Sequence, residues 1–375
     1  GYPPRLLLKP IGEMDHEGDQ VLKPDSTGHT ILKAFVQRME GKSVSVTTVE
    51  KYKPRSFFEG VTMIGSESLL RRLTLSLAGR LPTPKERQDI RRMGLPALNE
   101  ILEKLMAEKR FFDRLKEGFN DIFLTNGYDG NGELILSYNH FEKSRLWYQK
   151  YDLSHIKDEK ERKEALYAMS REYRKAIREE PLELIAHVVR NNRPFTEIMT
   201  ADYIMVSPYS ARGYGIFEQV KDRFKDSKDP FEYVQAKLPA LKARNNNPVN
   251  GPLVQESKTG FYPHAGLFSM FQYLRRYPTT ETNRNRLRAR MYYQHFLGIN
   301  IMELADQVAD AAAIDVKYET PWMEAADCVV CHRTIDPVAG LFQDFYNEEG
   351  HFGPRQEGWF KDMFGPGLEG EDLPQ

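Results

Sequence analysis

The sequence predicts a mostly α-helical protein, a bundle-like helical body behind an extended N-terminal arm. Three observations carry that expectation. Leucines and aromatics recur every three or four residues from Ser66 to Phe123, which is the period of an amphipathic helix. Helix starts are marked by a capping residue followed by proline, as at Thr83-Pro84, where the proline ring suits the first helical position. From Asp158 to Glu180 acidic and basic residues alternate about one turn apart, the pattern of a solvated helix stabilised by local pairs.

Composition sets the outer bounds. The chain has 375 residues, 40% of them hydrophobic, enough to bury a substantial core and long enough for two domains. A formal net charge of -1 gives no general attraction to nucleic acid or to an acidic membrane surface. No apolar run approaches the roughly 18 residues that span a bilayer, so any membrane association is expected to be peripheral. No basic segment followed by an apolar core opens the chain, and Gly1 reads as a processed start.

Residues 1–60 form the expected arm. Lys9 to Gly28 is rich in proline, glycine and charge and reads as extended coil, Val44 to Val49 as a short strand, and His16 and His29 as solvated loop histidines. A helical domain follows over 61–226. Its first helix opens at Ser66 and stops at a glycine cap, Gly79. Thr83 to Glu86 is a capping box, and Pro96 begins another helix. Phe111, Phe112, Leu115, Phe119, Ile122 and Phe123 continue the stripe as core. Asp129 to Glu133 reads as a turn, because its oxygens lack the spacing of a calcium loop. Pro181 is expected to open a further helix. Residues 227–262 contain Asn245-Asn246-Asn247-Pro248 and Asn250-Gly251-Pro252 and read as a linker or loop. The last domain is 263–375, with helices from Ala265 to Arg276 and from Glu281 to Phe296, the second ended by Gly298.

The chemistry lies in Cys328-Val329-Val330-Cys331-His332. Two cysteines three apart on a helix face one side, so both sulfurs can add across the vinyl groups of a haem while the adjacent histidine turns toward the iron. These are the only two cysteines in the chain. A structural zinc site would need two distant histidines to complete its four ligands. A thioredoxin-like pair would need a strand leading in, whereas Tyr318 to Ala326 reads as helix, with Thr320 as N-cap, Pro321 at the first position and Glu324 closing a capping box. The cysteines then fall in the last turns of that helix. Asp336-Pro337 follows where a backbone carbonyl could accept from the second ring nitrogen of His332 and fix its orientation. The expected cofactor is one covalently bound haem c, and 263–375 is its binding domain. Haem attachment to cysteine takes place outside the cytoplasm, so a periplasmic, extracellular or cell-surface location is expected. Arg284, Arg286, Arg288 and Arg290 crowd one helix. Their forks, Arg284 and Arg286 foremost, suit haem propionates, with a solvated basic face as the alternative.

Further stretches carry a resemblance: Arg193-Pro194-Phe195-Thr196-Glu197-Ile198-Met199-Thr200-Ala201-Asp202-Tyr203, Pro263-His264-Ala265-Gly266-Leu267, Tyr277-Pro278-Thr279-Thr280-Glu281-Thr282-Asn283-Arg284-Asn285-Arg286, and Ile335-Asp336-Pro337-Val338-Ala339-Gly340 after Cys331-His332. In this order, from about Ser66 to Gly350, the chain resembles exported c-type haem proteins of planctomycetes and myxobacteria built from cytochrome-associated domains of unknown function (DUF1592/DUF1588-like). The resemblance implies an exported c-type cytochrome, often with further domains after the haem segment. The sixth iron ligand separates a closed electron-transfer site from an open one. His264, beside Pro263 in a shared stretch, is the first candidate, with His351 and Met363 as alternatives. Met323 is disfavoured because it shares the helix of His332.

The functional expectation is a monohaem c-type cytochrome working with redox partner proteins or within a larger multi-subunit complex. The alternatives are a peroxidase-like haem enzyme assisted by a distal histidine or arginine, and a haem-bearing structural subunit. An electron carrier is favoured because no nucleophile, metal cluster or nucleotide loop is visible elsewhere, and no catalytic residue is assigned.

Overall fold

The computed structural model describes residues 5–14, 20–42, 61–62, 64–126, 135–136, 138–241, 257–280, 283–305, 326–343, 345–346 and 351–352. The chain divides into two compact units, Gly1–Ile64 and Gly65–Gln375. In the first, the described residues include two helices, α1 (Arg5–Leu8) and α2 (Thr27–Met39), with a 3-10 turn at Lys9–Ile11 after α1, while residues 20–26 are loop and turn as expected. Ser26 caps α2 by accepting from the His29 amide, the role a serine plays when helix donors would otherwise be orphaned. His29 is buried, not solvated, and its Nδ1 accepts from the Asp25 amide at 3.0 Å. His16 and Val44 to Val49 lie outside the described residues.

The second unit opens with four helices, α3 (Ser66–Ala78), α4 (Pro84–Met93), α5 (Pro96–Met106) and α6 (Lys109–Phe123). Gly79 ends α3 at φ 61°. Thr83 and Glu86 form the expected capping box of α4. Arg80 then braces the group, its Nη2 donating to Glu86 at 2.7 Å and to Glu108, the residue before α6, at 2.6 Å. Leu70, Ile90, Ala97 and Ile101 close a small core beneath it.

After α7 (Tyr138–Phe141) comes α8 (Glu159–Arg190), a helix of 32 residues. Its first half is charged and largely solvated, with Glu159 and Lys163 paired at 2.8 Å. Its second half is buried on nearly every side from Glu180 to Ala186. Pro181 does not begin a helix as expected; it sits inside this one. Proline lacks the amide that would reach the carbonyl four residues back. Gln272 supplies the donor instead, its Nε2 reaching the Ile177 carbonyl at 2.7 Å. Burial of the surrounding turns therefore outweighs the proline.

The main core is built around α8. It takes in α9 (Glu197–Thr200), β1 (Ile204–Val206), α10 (Pro208–Gly213) and α11 (Phe217–Val220). Strand β2 (Val234–Ala236) pairs antiparallel with β1, Met205 opposite Gln235. Leu238, Leu241 and Tyr262 enter the same core. Residues 227–241 and 257–262 thus contribute to this core, while Asn245 to Pro252, the stretch read as a linker or loop, lies outside the described residues.

The helix expected from Ala265 starts only at Phe271 (α12, Phe271–Arg276). Residues 266–267 are used otherwise: the amides of Gly266 and Leu267 donate to the carbonyls of Ala201 and Ile198, both at 2.8 Å. A Cβ on Gly266, at φ 51°, would meet the Ile198 carbonyl oxygen at 2.2 Å, so this approach requires glycine. Helix α13 (Arg286–Leu297) follows and ends at Gly298 as expected. Then come α14 (Ala326–Gly340) and the short antiparallel pair β3 (Phe345–Tyr346) and β4 (His351–Phe352). Helix α14 packs on α13 and on the 3-10 turn Ile301–Ala305. Among the described residues no helix is long and apolar enough to cross a membrane.

Candidate functional site

Helix α14 carries Cys328, Cys331 and His332. A helix stacks residues four apart, so Cys328, His332 and Asp336 form one row, and Cys331, Ile335 and Ala339 the next. The second row faces the protein: Ile335 and Ala339 are buried against Ala289 of α13 and Ile301. Cys331 lies over the same cluster, its Sγ 3.5 Å from the Ile301 carbonyl oxygen. Both cysteines are free thiols and half-buried. The helix continues past His332 to Gly340, so the cysteines are not in its last turns. Thr320, Pro321, Met323 and Glu324 lie outside the described residues.

His332 is 26% exposed, and its Nδ1 lies 3.1 Å from Asp336 Oδ2. A carboxylate only accepts, so Nδ1 carries a proton, and in the neutral ring the lone pair is on Nε2. Nε2 makes no hydrogen bond among the described residues. The expected backbone acceptor is therefore replaced by a side chain. Inside a helix the Asp336 carbonyl points along the axis toward the C-terminus, whereas a side chain four residues on lies beside the ring. Pro337 lies within α14 and is exposed.

Asp336 is only 1% exposed. Arg286 of α13 grips it with Nε to Oδ1 at 2.7 Å and Nη2 to Oδ2 at 3.1 Å, a two-pronged geometry that offsets the cost of burying a charge. Arg286 thus spends two of its nitrogens on Asp336. Arg288 is fully buried and donates to the carbonyls of Tyr277 at 2.8 Å, Leu274 at 3.0 Å and Phe345, and to Asn285 Oδ1 at 2.8 Å. Burial pulls its guanidinium down to about 9. It ties α12, α13 and β3 together. Arg284 is half-buried just ahead of α13, with φ 46°.

His264 does not open a helix. Its Nε2 accepts from the Leu238 amide at 3.0 Å, while its Nδ1 is buried with no hydrogen-bond partner. The nitrogen left for a ligand role is therefore Nδ1. His351 lies in β4 opposite Tyr346, and Met363 lies outside the described residues. Among the described residues, no three His, Cys, Asp or Glu side chains gather as a metal ion would require. The residue missed by sequence reasoning is Asp336 as a side-chain acceptor. Its place four residues after His332 was the available signal.

Residues 139–216 match the model of a family described as PSD4, a protein of unknown function (DUF1592). The match covers α8, β1 and α10 and contains none of Cys328, Cys331 and His332. No curated protein and no solved structure matches the chain.

Proposed function

We propose that the chain is a monohaem c-type cytochrome that transfers electrons outside the cytoplasm. The observation that carries this reading is the donor set of α14: two free thiols three residues apart, and beside them an imidazole whose Nδ1 is held by Asp336 and whose Nε2 is uncommitted. A haem c bound there would supply a one-electron iron centre. Cys328 and Cys331 would hold it through thioethers and His332 Nε2 would ligate the iron. Asp336 keeps the ring in the tautomer that presents Nε2. Packing of Cys331 against Ile301 and the α13 cluster shields that side from water. His264 through Nδ1, His351 and Met363 are the candidates for the opposite side of the iron, with Arg284 for a propionate. The location is periplasmic or at the cell surface, with redox proteins or a larger complex as partners.

A peroxidase-like activity is the second reading, and the His332–Asp336 contact favours it. A carboxylate at Nδ1 makes the imidazole a stronger electron donor, and donation from the proximal ligand assists O–O cleavage. The test is to express the chain with a c-type haem maturation system. Acid-acetone extraction should leave the haem with the polypeptide, and the intact mass should exceed the apo-chain by one haem. Cys328→Ala with Cys331→Ala should release it. Complete extraction from the wild type, or one equivalent of zinc, defeats the proposal. Slow carbon monoxide binding by the ferrous protein identifies the carrier, and rapid binding with sustained peroxide turnover the enzyme.

A further inference from the structure

We infer that Asp336 is a positioning residue that acts through His332 to hold the haem at a low reduction potential, and that Arg286 moderates it by sharing the same carboxylate oxygen. The inference rests on the haem reading above. Asp336 Oδ2 takes both the His332 Nδ1–H at 3.1 Å and Arg286 Nη2 at 3.1 Å. Donation from Nδ1–H to an anion leaves more electron density at Nε2, which stabilises ferric iron over ferrous. An exposed carboxylate would have little such effect, because water screens it. Here Asp336 is 1% exposed, where the local dielectric is low and a charge-assisted hydrogen bond is strong.

The arrangement is held from both helices. Asp336 and His332 are fixed by helical spacing on α14, and Arg286 comes from the first turn of α13. Tyr293, two turns further along α13, donates from its hydroxyl to the Thr334 carbonyl at 3.1 Å, which keeps the two helices in register. Arg286 pulls the opposite way from Asp336. Every hydrogen bond it makes to Oδ2 lowers the acceptor strength left for His332, and its cation favours the ferrous state by charge alone. The two residues should therefore move the potential in opposite directions, whereas substitutions that only loosened the packing of α13 on α14 would move it the same way.

The test uses the full chain carrying covalent haem, with potentials from mediated titration and far-UV circular dichroism as the check on folding. Asp336→Asn keeps the shape and an acceptor oxygen but removes the charge. It should favour reduction about tenfold, about 59 mV for one electron. Arg286→Gln should disfavour reduction, by a few-fold. Asp336→Glu, if its carboxylate still reaches Nδ1, should bring the potential back toward the wild type. If Asp336→Asn does not fold, the fall in potential with Arg286→Gln still decides the matter. Folded, haem-bearing variants whose potentials do not move, or move together, overturn this inference and leave the haem reading standing. A wild-type chain that acquires no covalent haem overturns both.

Discussion

Glu180 is completely buried on α8, its Oε2 accepting from Tyr214 Oη and from Gln272 Nε2, both at 2.6 Å. Burial pushes this carboxyl up to about 8, from an ordinary 4.5. His264 moves the other way, burial pulling it down to about 4 from 6.5. Between pH 4.5 and 8 the folded chain keeps a proton on Glu180 that the unfolded chain has released. That contribution is full below 4.5 and is lost as pH rises through 8. For His264 the unfolded chain takes up a proton below 6.5 that the folded one refuses until about 4. Its contribution is full above 6.5 and is lost as pH falls toward 4. The two slopes oppose each other in between, so stability should be flattest from pH 4.5 to 6.5 and decline on either side. Glu180→Gln should flatten the alkaline side, where one such proton is worth about 1.4 kcal/mol per pH unit. Urea unfolding from pH 4 to 8.5 measures it. An alkaline decline that survives in the variant would place the titrating group elsewhere.

The length of α8 depends on a residue far away in the sequence. Pro181 removes the donor for the Ile177 carbonyl, and Gln272 of α12 restores it while also donating to Glu180. Gln272→Leu keeps the volume and removes both hydrogen bonds from a fully buried site. Leaving a carbonyl and a carboxyl without that donor should cost about 2–3 kcal/mol, more than the roughly 1 kcal/mol lost with a helix cap such as Thr83. Chemical denaturation of the single variant decides it, and a loss below about 0.5 kcal/mol would mean that water replaces the amide. Elements set by local chemistry were readable in advance: the caps at Thr83, Gly79 and Gly298 sit where short-range geometry demands them. The start of α12 was not. The stretch from Ala265 was expected to open a helix, yet the amides of Gly266 and Leu267 are drawn to the carbonyls of Ala201 and Ile198, a contact that local propensity cannot register.

At the scale of the molecule, the hydrophobic clusters formed among the described residues are drawn from residues after Gly65, within the unit Gly65–Gln375. A chain beginning at Gly65 should therefore fold by itself, with a cooperative melt and a helical circular dichroism spectrum. A broad, non-cooperative melt of that fragment would show that its core requires residues from Gly1–Ile64. The family match at 139–216 falls on α8 and its immediate partners. It coincides with the centre of the main core, not with the helix of the two cysteines.

The sequence alone determined the helical class of the body, the caps that punctuate it, and the one stretch with distinctive chemistry, Cys328 to His332. Each is a short-range property, set by periodicity or by side chains within one turn. Tertiary structure decided the rest. It ran α8 through Pro181 because a distant amide replaced the missing donor, and it drew the described residues of 227–262 into the core through β2 and Leu238. It gave His264 a hydrogen bond to the Leu238 amide, and it turned Arg286 toward Asp336. The reason is common to all of these. A buried polar group must find a partner wherever the fold brings one, and its distance along the chain does not enter that requirement.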